Sequence, residues 1–126
     1  TSNICTNSGL CALAFCIHMT LLGEAGLTGL ARLNHLKAAA AADRLAALPG
    51  VTVINDSFFN EFTVQLPKPA GPLVDRLAAK GVLAGVPVSR LYPGDPALAH
   101  LLLVAVTETN TEADVDVLVA ALKEAI

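Results

Sequence analysis

Six consecutive apolar residues, Leu101 to Val106, lie between His100 and Thr107. A run of this length without alternation suits a strand buried in the middle of a sheet rather than at its edge. A second strand is expected where Phe62, Val64 and Leu66 alternate with Glu61, Thr63 and Gln65 until Pro67, the pattern of a sheet with one covered face. Two shorter strands are expected at Val51 to Ile54, between Gly50 and Asn55, and at Val82 to Ala84.

Helical periodicity supplies the covering layer. Leu10, Leu13, Ala14, Ile17 and Leu21 share one face, and Gly23 stands where a left-handed closing residue belongs, which predicts a first helix from about Ser8 to Leu22. Leu27, Leu30, Asn34, Ala38, Ala41, Leu45 and Leu48 predict a second, ending at Pro49-Gly50. The Ala38 to Ala42 run thins that helix, for close approach of another element or for helix propensity alone. Leu73, Val74 and Leu77 predict a third helix closed by Lys80-Gly81. Thr111 to Asp114 reads as a capping box opening a fourth, with Val115, Leu118, Val119 and Leu122 inward. Residues 85 to 100 carry the Pro and Gly pattern of a loop. The order α-α-β-β-α-β-β-α predicts an α+β domain, an antiparallel-rich sheet covered on one face by helices.

Composition limits the function classes. At 126 residues with no evident linker the chain suits one domain, 1–126. A core drawn from 54% hydrophobic but only 4% aromatic residues must be built from Ala, Leu and Val. A net charge of -3 with 8 scattered basic residues lacks the footprint that nucleic acid phosphates demand. Cys5, Cys11 and Cys16 have no metal-ligand spacing and are odd in number, which points to reduced thiols in a cytoplasmic protein and away from zinc. The apolar stretch from Leu10 to Leu22 lacks a basic flank and falls short of the roughly 20 residues a membrane span needs, so it reads as a buried helix.

Candidate chemistry is sparse. Cys16 and His18 are two apart on a helix and point away from each other, so they cannot form a nucleophilic pair. Gly23, Gly26 and Gly29 sit between helices, not after a strand, so they are no phosphate loop. His18 and His35 suit helix packing or an interface, and His100 the loop before the buried strand. Asn3, Thr6 and Asn7 precede a helix and either cap it and make domain contacts or aim its N-terminus at an anionic group. Glu61 either lies on a solvated strand face, meets a partner domain or pairs with Arg90. Arg90, in the Pro/Gly segment, is the candidate for clamping a carboxylate with two parallel hydrogen bonds. Glu108, after the buried strand, is a candidate for holding a neighbouring loop or another domain. Lys37, Lys68, Lys80 and Lys123 all occupy positions that suit solvated surface, and no metal site is expected.

Five blocks, Ser2 to Asn7, Leu21-Leu22-Gly23 with Gly26-Leu27, Phe58 to Phe62, Tyr92-Pro93 and Thr107-Glu108, run through the chain in the order and approximate spacing of the C-terminal region of glycine decarboxylase. The first and third are the specific ones. The sequence resembles that family, with Ser8 where the family usually carries Gln. The resemblance implies the C-terminal small domain of a fold-type I pyridoxal-phosphate enzyme, here a fragment from the end of subunit 1 of a two-subunit form. It implies glycine decarboxylation with transfer of the aminomethyl product to a lipoyl carrier protein, the H-protein. The implied partners are its own large N-terminal domain, subunit 2 and that carrier, with no nucleic acid and no membrane. The Schiff-base lysine would lie in subunit 2, so the piece alone is expected to be inactive, to bind no cofactor and to self-associate through uncovered apolar surface. The other readings are the small domain of another fold-type I enzyme, such as an aminotransferase, and a stand-alone α+β regulatory or protein-interaction module.

Overall fold

The computed structural model describes residues 8–126. Two compact units divide the chain, Thr1–Arg32 and Leu33–Ile126.

In the first unit every described residue from Gly9 onward is helical. Helix α1, Gly9–Ala46, is interrupted at Gly23 (φ 59°, ψ -171°), a conformation outside the helical region that glycine reaches without a Cβ clash. Two helices are therefore joined at the glycine expected to separate them, with no loop between. Leu10, Leu13, Ile17 and Leu21, expected inward, are exposed. Among the described residues of this unit there is no second element for the helix to lie against. Because α1 continues past Gly23, it is long and apolar enough to cross a membrane by length and composition, which the Leu10 to Leu22 run alone was not. The buried helix of a larger protein meets the same criterion.

The second unit holds a four-stranded sheet and its covering helices. The strands are β1 (Thr52–Val53), β2 (Glu61–Gln65), β3 (Val86–Pro87) and β4 (Leu101–Ala105), and the helices α2 (Ala70–Ala79), α3 (Val88–Leu91) and α4 (Glu112–Ala125), with a 3-10 turn at Pro96–Leu98. The order in the sheet is β1-β2-β4-β3 and every pairing is antiparallel. The long pairing is β2 with β4, in register Glu61 to Ala105, Phe62 to Val104, Thr63 to Leu103, Val64 to Leu102 and Gln65 to Leu101. The unbroken apolar run thus occupies an inner strand.

Pleating sends alternate residues to opposite faces. Phe62, Val64, Leu102 and Val104 are at most 2% exposed and form one core with Ala38, Ala41 and Leu45 of α1, Leu73 and Leu77 of α2, and Leu122 of α4. The other face carries Glu61, Gln65 and Ala105, all exposed. The result is an α+β layer.

Local sequence sets the helix ends. At α2, Gly81 N–H donates to the Ala78 carbonyl and Val82 N–H to that of Leu77, both at 2.9 Å, and Gly81 takes the positive φ of 81° that this closure needs. At α4, the Thr111 hydroxyl accepts from Asp114 N–H at 3.2 Å while the Asp114 carboxylate accepts from Thr111 N–H at 2.7 Å, a complete capping box. The far end of α4 is held by cations. Lys68 and Arg76 both donate to the Ala125 carbonyl at 3.2 Å, and Lys80 pairs with Glu124 at 2.9 Å, where positive charge meets the negative end of the helix. Arg44 pairs with Asp116 and ties α1 to α4.

The third expected strand is displaced. Val82 N–H is spent on closing α2, and Gly85 (φ 137°) redirects the chain, so pairing with β4 begins only at Val86. Pro87 tolerates this place because an edge strand has a side that needs no donor. The Pro and Gly segment read as loop contains β3, α3 and the 3-10 turn, whose Asp95 side chain accepts from Ala97 N–H at 3.0 Å.

Candidate functional site

The β2–β4 ladder places two loops side by side. Antiparallel pairing puts the start of β2 beside the end of β4, and the Val106 N–H donates to the Asn60 carbonyl at 3.0 Å just beyond the last pair. Residues 55–60 and 106–111 therefore meet at one end of the sheet. The first carries the start of the Phe58 to Phe62 block, which runs on into β2, and the second contains Thr107-Glu108.

Each loop is braced from within. The Asn55 side-chain oxygen accepts from Thr63 N–H at 2.7 Å, closing the turn out of β1. The Asn110 side-chain oxygen accepts from Thr107 N–H at 2.8 Å, and Asn110 N–H returns to the Thr107 carbonyl at 3.2 Å. Asn suits such positions because its short side chain bonds nearby backbone.

One turn of α1 then clamps both loops. Asn34 Oδ1 accepts from Glu108 N–H at 2.6 Å, and Lys37 Nζ donates to the carbonyls of Glu108 at 2.7 Å and Asn110 at 2.5 Å. His35 Nδ1 lies 2.9 Å from the Phe59 carbonyl. A carbonyl only accepts, so Nδ1 carries the proton there. The His35 ring stacks on Phe59 (centroids 6.3 Å, 8° between planes) and meets Phe58 edge-on at 61°. Phe58 in turn packs on the buried Phe62 ring at 5.0 Å, so the clamp is anchored to the core.

The electrostatics are mild. Two backbone and side-chain hydrogen bonds from Thr111, with Lys37 nearby, hold the Asp114 carboxyl below its ordinary range. A hydrogen bond from Lys80, reinforced by its charge, does the same for Glu124.

The residues singled out from sequence separate in space. Glu61 opens β2 opposite Ala105 and is exposed, with no ion pair among the described residues. Glu108 is also exposed and belongs to the same end of the sheet; its main chain, not its carboxylate, makes the bonds to α1. Arg90 stands in α3, which follows β3 toward the opposite end of β4. Its guanidinium pairs with Asp75 at 2.6 Å rather than with Glu61. Asn3, Thr6 and Asn7 lie outside the described residues. Asn34, His35 and Lys37 did not emerge as site residues from sequence. The legible signal was Asn34, a polar side chain interrupting the apolar row from Leu27 to Leu48.

The lysines do not suit a covalent cofactor anchor, which needs a desolvated amine free to react. Lys37 is spent on two carbonyls, Lys68 reaches the end of α4, Lys80 pairs with Glu124, and Lys123 is exposed. Among the described residues no group of three or more His, Cys, Asp or Glu gathers as for a metal, and Cys11 and Cys16 are free and exposed. The site is thus a braced pair of loops presenting Phe59, Glu61 and Glu108 outward, suited to contact and positioning.

Comparison with known proteins identifies the fold and the family. The chain is 68% identical over all 126 residues to a probable glycine dehydrogenase (decarboxylating) subunit 1 of Rhodospirillum centenum, and 64% identical to that of Rhodospirillum rubrum. It spans 28% of the length of each. A crystal structure of glycine decarboxylase (P-protein) of the glycine cleavage system, in inhibitor-bound form, superposes with a TM-score of 0.85 at 36% identity, over 99% of this chain and 28% of that one. A NifS-like protein shares the fold alone, with a TM-score of 0.61 at 20% identity over 78% of the chain. The profile of the glycine cleavage system P-protein family matches residues 1–122, and the chain belongs to that family.

Proposed function

We propose that this chain is the small domain of a glycine dehydrogenase (decarboxylating) subunit 1, closing over a pyridoxal-phosphate cleft for glycine decarboxylation and aminomethyl transfer to a lipoyl carrier protein. The observation that carries this reading is the 68% identity to such a subunit across every residue of the chain. The geometry supports it: two loops bearing family signature blocks are braced at one end of the sheet, while no lysine suits a covalent anchor. Pyridoxal phosphate supplies the electron sink for the reaction and is held elsewhere in the enzyme. The role of this chain is to orient and enclose. Glu61, Glu108 and Phe59 face the rest of the subunit, subunit 2 or the carrier, in the cytoplasm, and neither nucleic acid nor membrane is a partner.

The test is reconstitution. The 126-residue chain alone is expected to show no cofactor absorbance and no glycine-bicarbonate exchange, and full-length subunit 1 with subunit 2 is expected to show both. Borohydride reduction that fixes the cofactor to Lys37, Lys68, Lys80 or Lys123 would overturn the reading.

A further inference from the structure

Beside β4 lies an open groove of about 550 Å³, lined at one end by Val106 and Asn110 of the second braced loop. Its origin is the shortness of β3, which pairs only with Leu102 and Leu103. Backbone groups of an antiparallel strand alternate in direction. Leu66 N–H bonds the His100 carbonyl and Val106 N–H the Asn60 carbonyl, so the even-numbered residues of β4 address β2. Leu103 and Ala105 therefore turn their backbone groups the other way. Leu103 meets β3, but Ala105, two residues on, faces the groove with no strand opposite.

Apolar side chains make up most of the groove wall, with Glu61, Asn110 and Asp114 as its polar lining. Leu83, Val86 and Val117 are 89%, 42% and 53% exposed, and Leu118, which also lines the groove, packs partly against the core. An open strand edge between apolar side chains invites another strand, which supplies main-chain hydrogen bonds and seats alternate side chains in the walls. Glu61 at the rim adds a negative charge.

We propose that this edge docks an extended apolar segment, with a basic residue toward Glu61, drawn from the part of the same subunit that lies outside this chain. The chain spans 28% of its relatives' length, so the greater part of such a subunit is present at fixed high local concentration. The inference rests on the chain being one part of a longer subunit, as proposed above.

The test uses the full-length subunit 1 and subunit 2 complex. A photoreactive benzoylphenylalanine at position 83 is expected to cross-link within subunit 1, to a peptide outside these 126 residues. Residue-resolved hydrogen exchange is expected to find the Ala105 amide protected, and Leu83→Asp to speed its exchange at least tenfold while Leu91→Asp does not. A cross-link to subunit 2, to a second copy or to nothing, or an Ala105 amide that exchanges like an exposed one, overturns the proposal. Glycine turnover and cofactor absorbance of the same complex are read in parallel, so a complex active in both with an unprotected Ala105 refutes the docking and leaves the enzyme assignment standing.

Discussion

Replacing Gly85 by alanine tests how β3 is seated against β4. A Cβ at this position would overlap the Leu103 carbonyl oxygen and touch the Leu102 side chain, and the backbone φ of 137° lies where residues with a Cβ are strained. Holding a non-glycine residue in such a region costs of order 1–3 kcal/mol. Relief by moving β3 away would sacrifice pairing at Val86 and Pro87, at about 1 kcal/mol per hydrogen bond. The expected loss is about 3 kcal/mol, roughly a hundredfold in an opening equilibrium. Leu103 N–H points toward β3, so its hydrogen exchange should quicken by that factor. Gly81→Ala is the matched comparison, since Gly81 also has positive φ (81°) but has open space around its missing Cβ. It should cost about 1–2 kcal/mol through backbone strain alone and leave Leu103 protected. If Gly85→Ala destabilises no more than Gly81→Ala, or if Leu103 exchange is unchanged, the close approach of β3 to β4 is not what holds this edge.

Lys37→Met removes two charge-assisted hydrogen bonds to the 106–111 loop. Water can replace part of each bond, so the expected net loss is about 1–2 kcal/mol, read as roughly tenfold faster exchange at the Glu108 amide, with partial recovery in Lys37→Arg. Acidification should fray the start of α4. The Asp114 pKa is lowered in the folded chain, so its contribution is complete above the unfolded value and is lost as pH falls below about 4 through the folded one. An NMR titration that follows Asp114 and the amides of the first turn of α4 should show the two moving together, and Asp114→Asn should remove the dependence.

The legible parts of this fold were those governed by contacts near in sequence. The capping box at Thr111 and Asp114, the glycine closure of α2 and the alternation in β2 each need only a few adjacent residues, and each was found where expected. The central place of β4 followed from its lack of polar positions. The β3 error had a longer-range cause: the choice between Val82 and Val86 depends on where Gly85 can approach Leu103, which no local pattern encodes. The exposed row from Leu10 to Leu21 shows the converse limit, since helical periodicity marks an apolar face and says nothing of what lies against it. Glu61 and Glu108 stood out through family blocks, and the structure places both at one end of the sheet. Asn34, His35 and Lys37 did not stand out, because their partners are main-chain groups 24 to 74 residues away, and a carbonyl has no sequence signature.

That clamp has a mechanical consequence. Since Asn34, His35 and Lys37 occupy a single helical turn and grip two separate loops, the loops behave as a yoked pair. A small rotation of that turn would drag Phe59 and Glu108 in step, so whatever surface reads one of them is bound to sense the other.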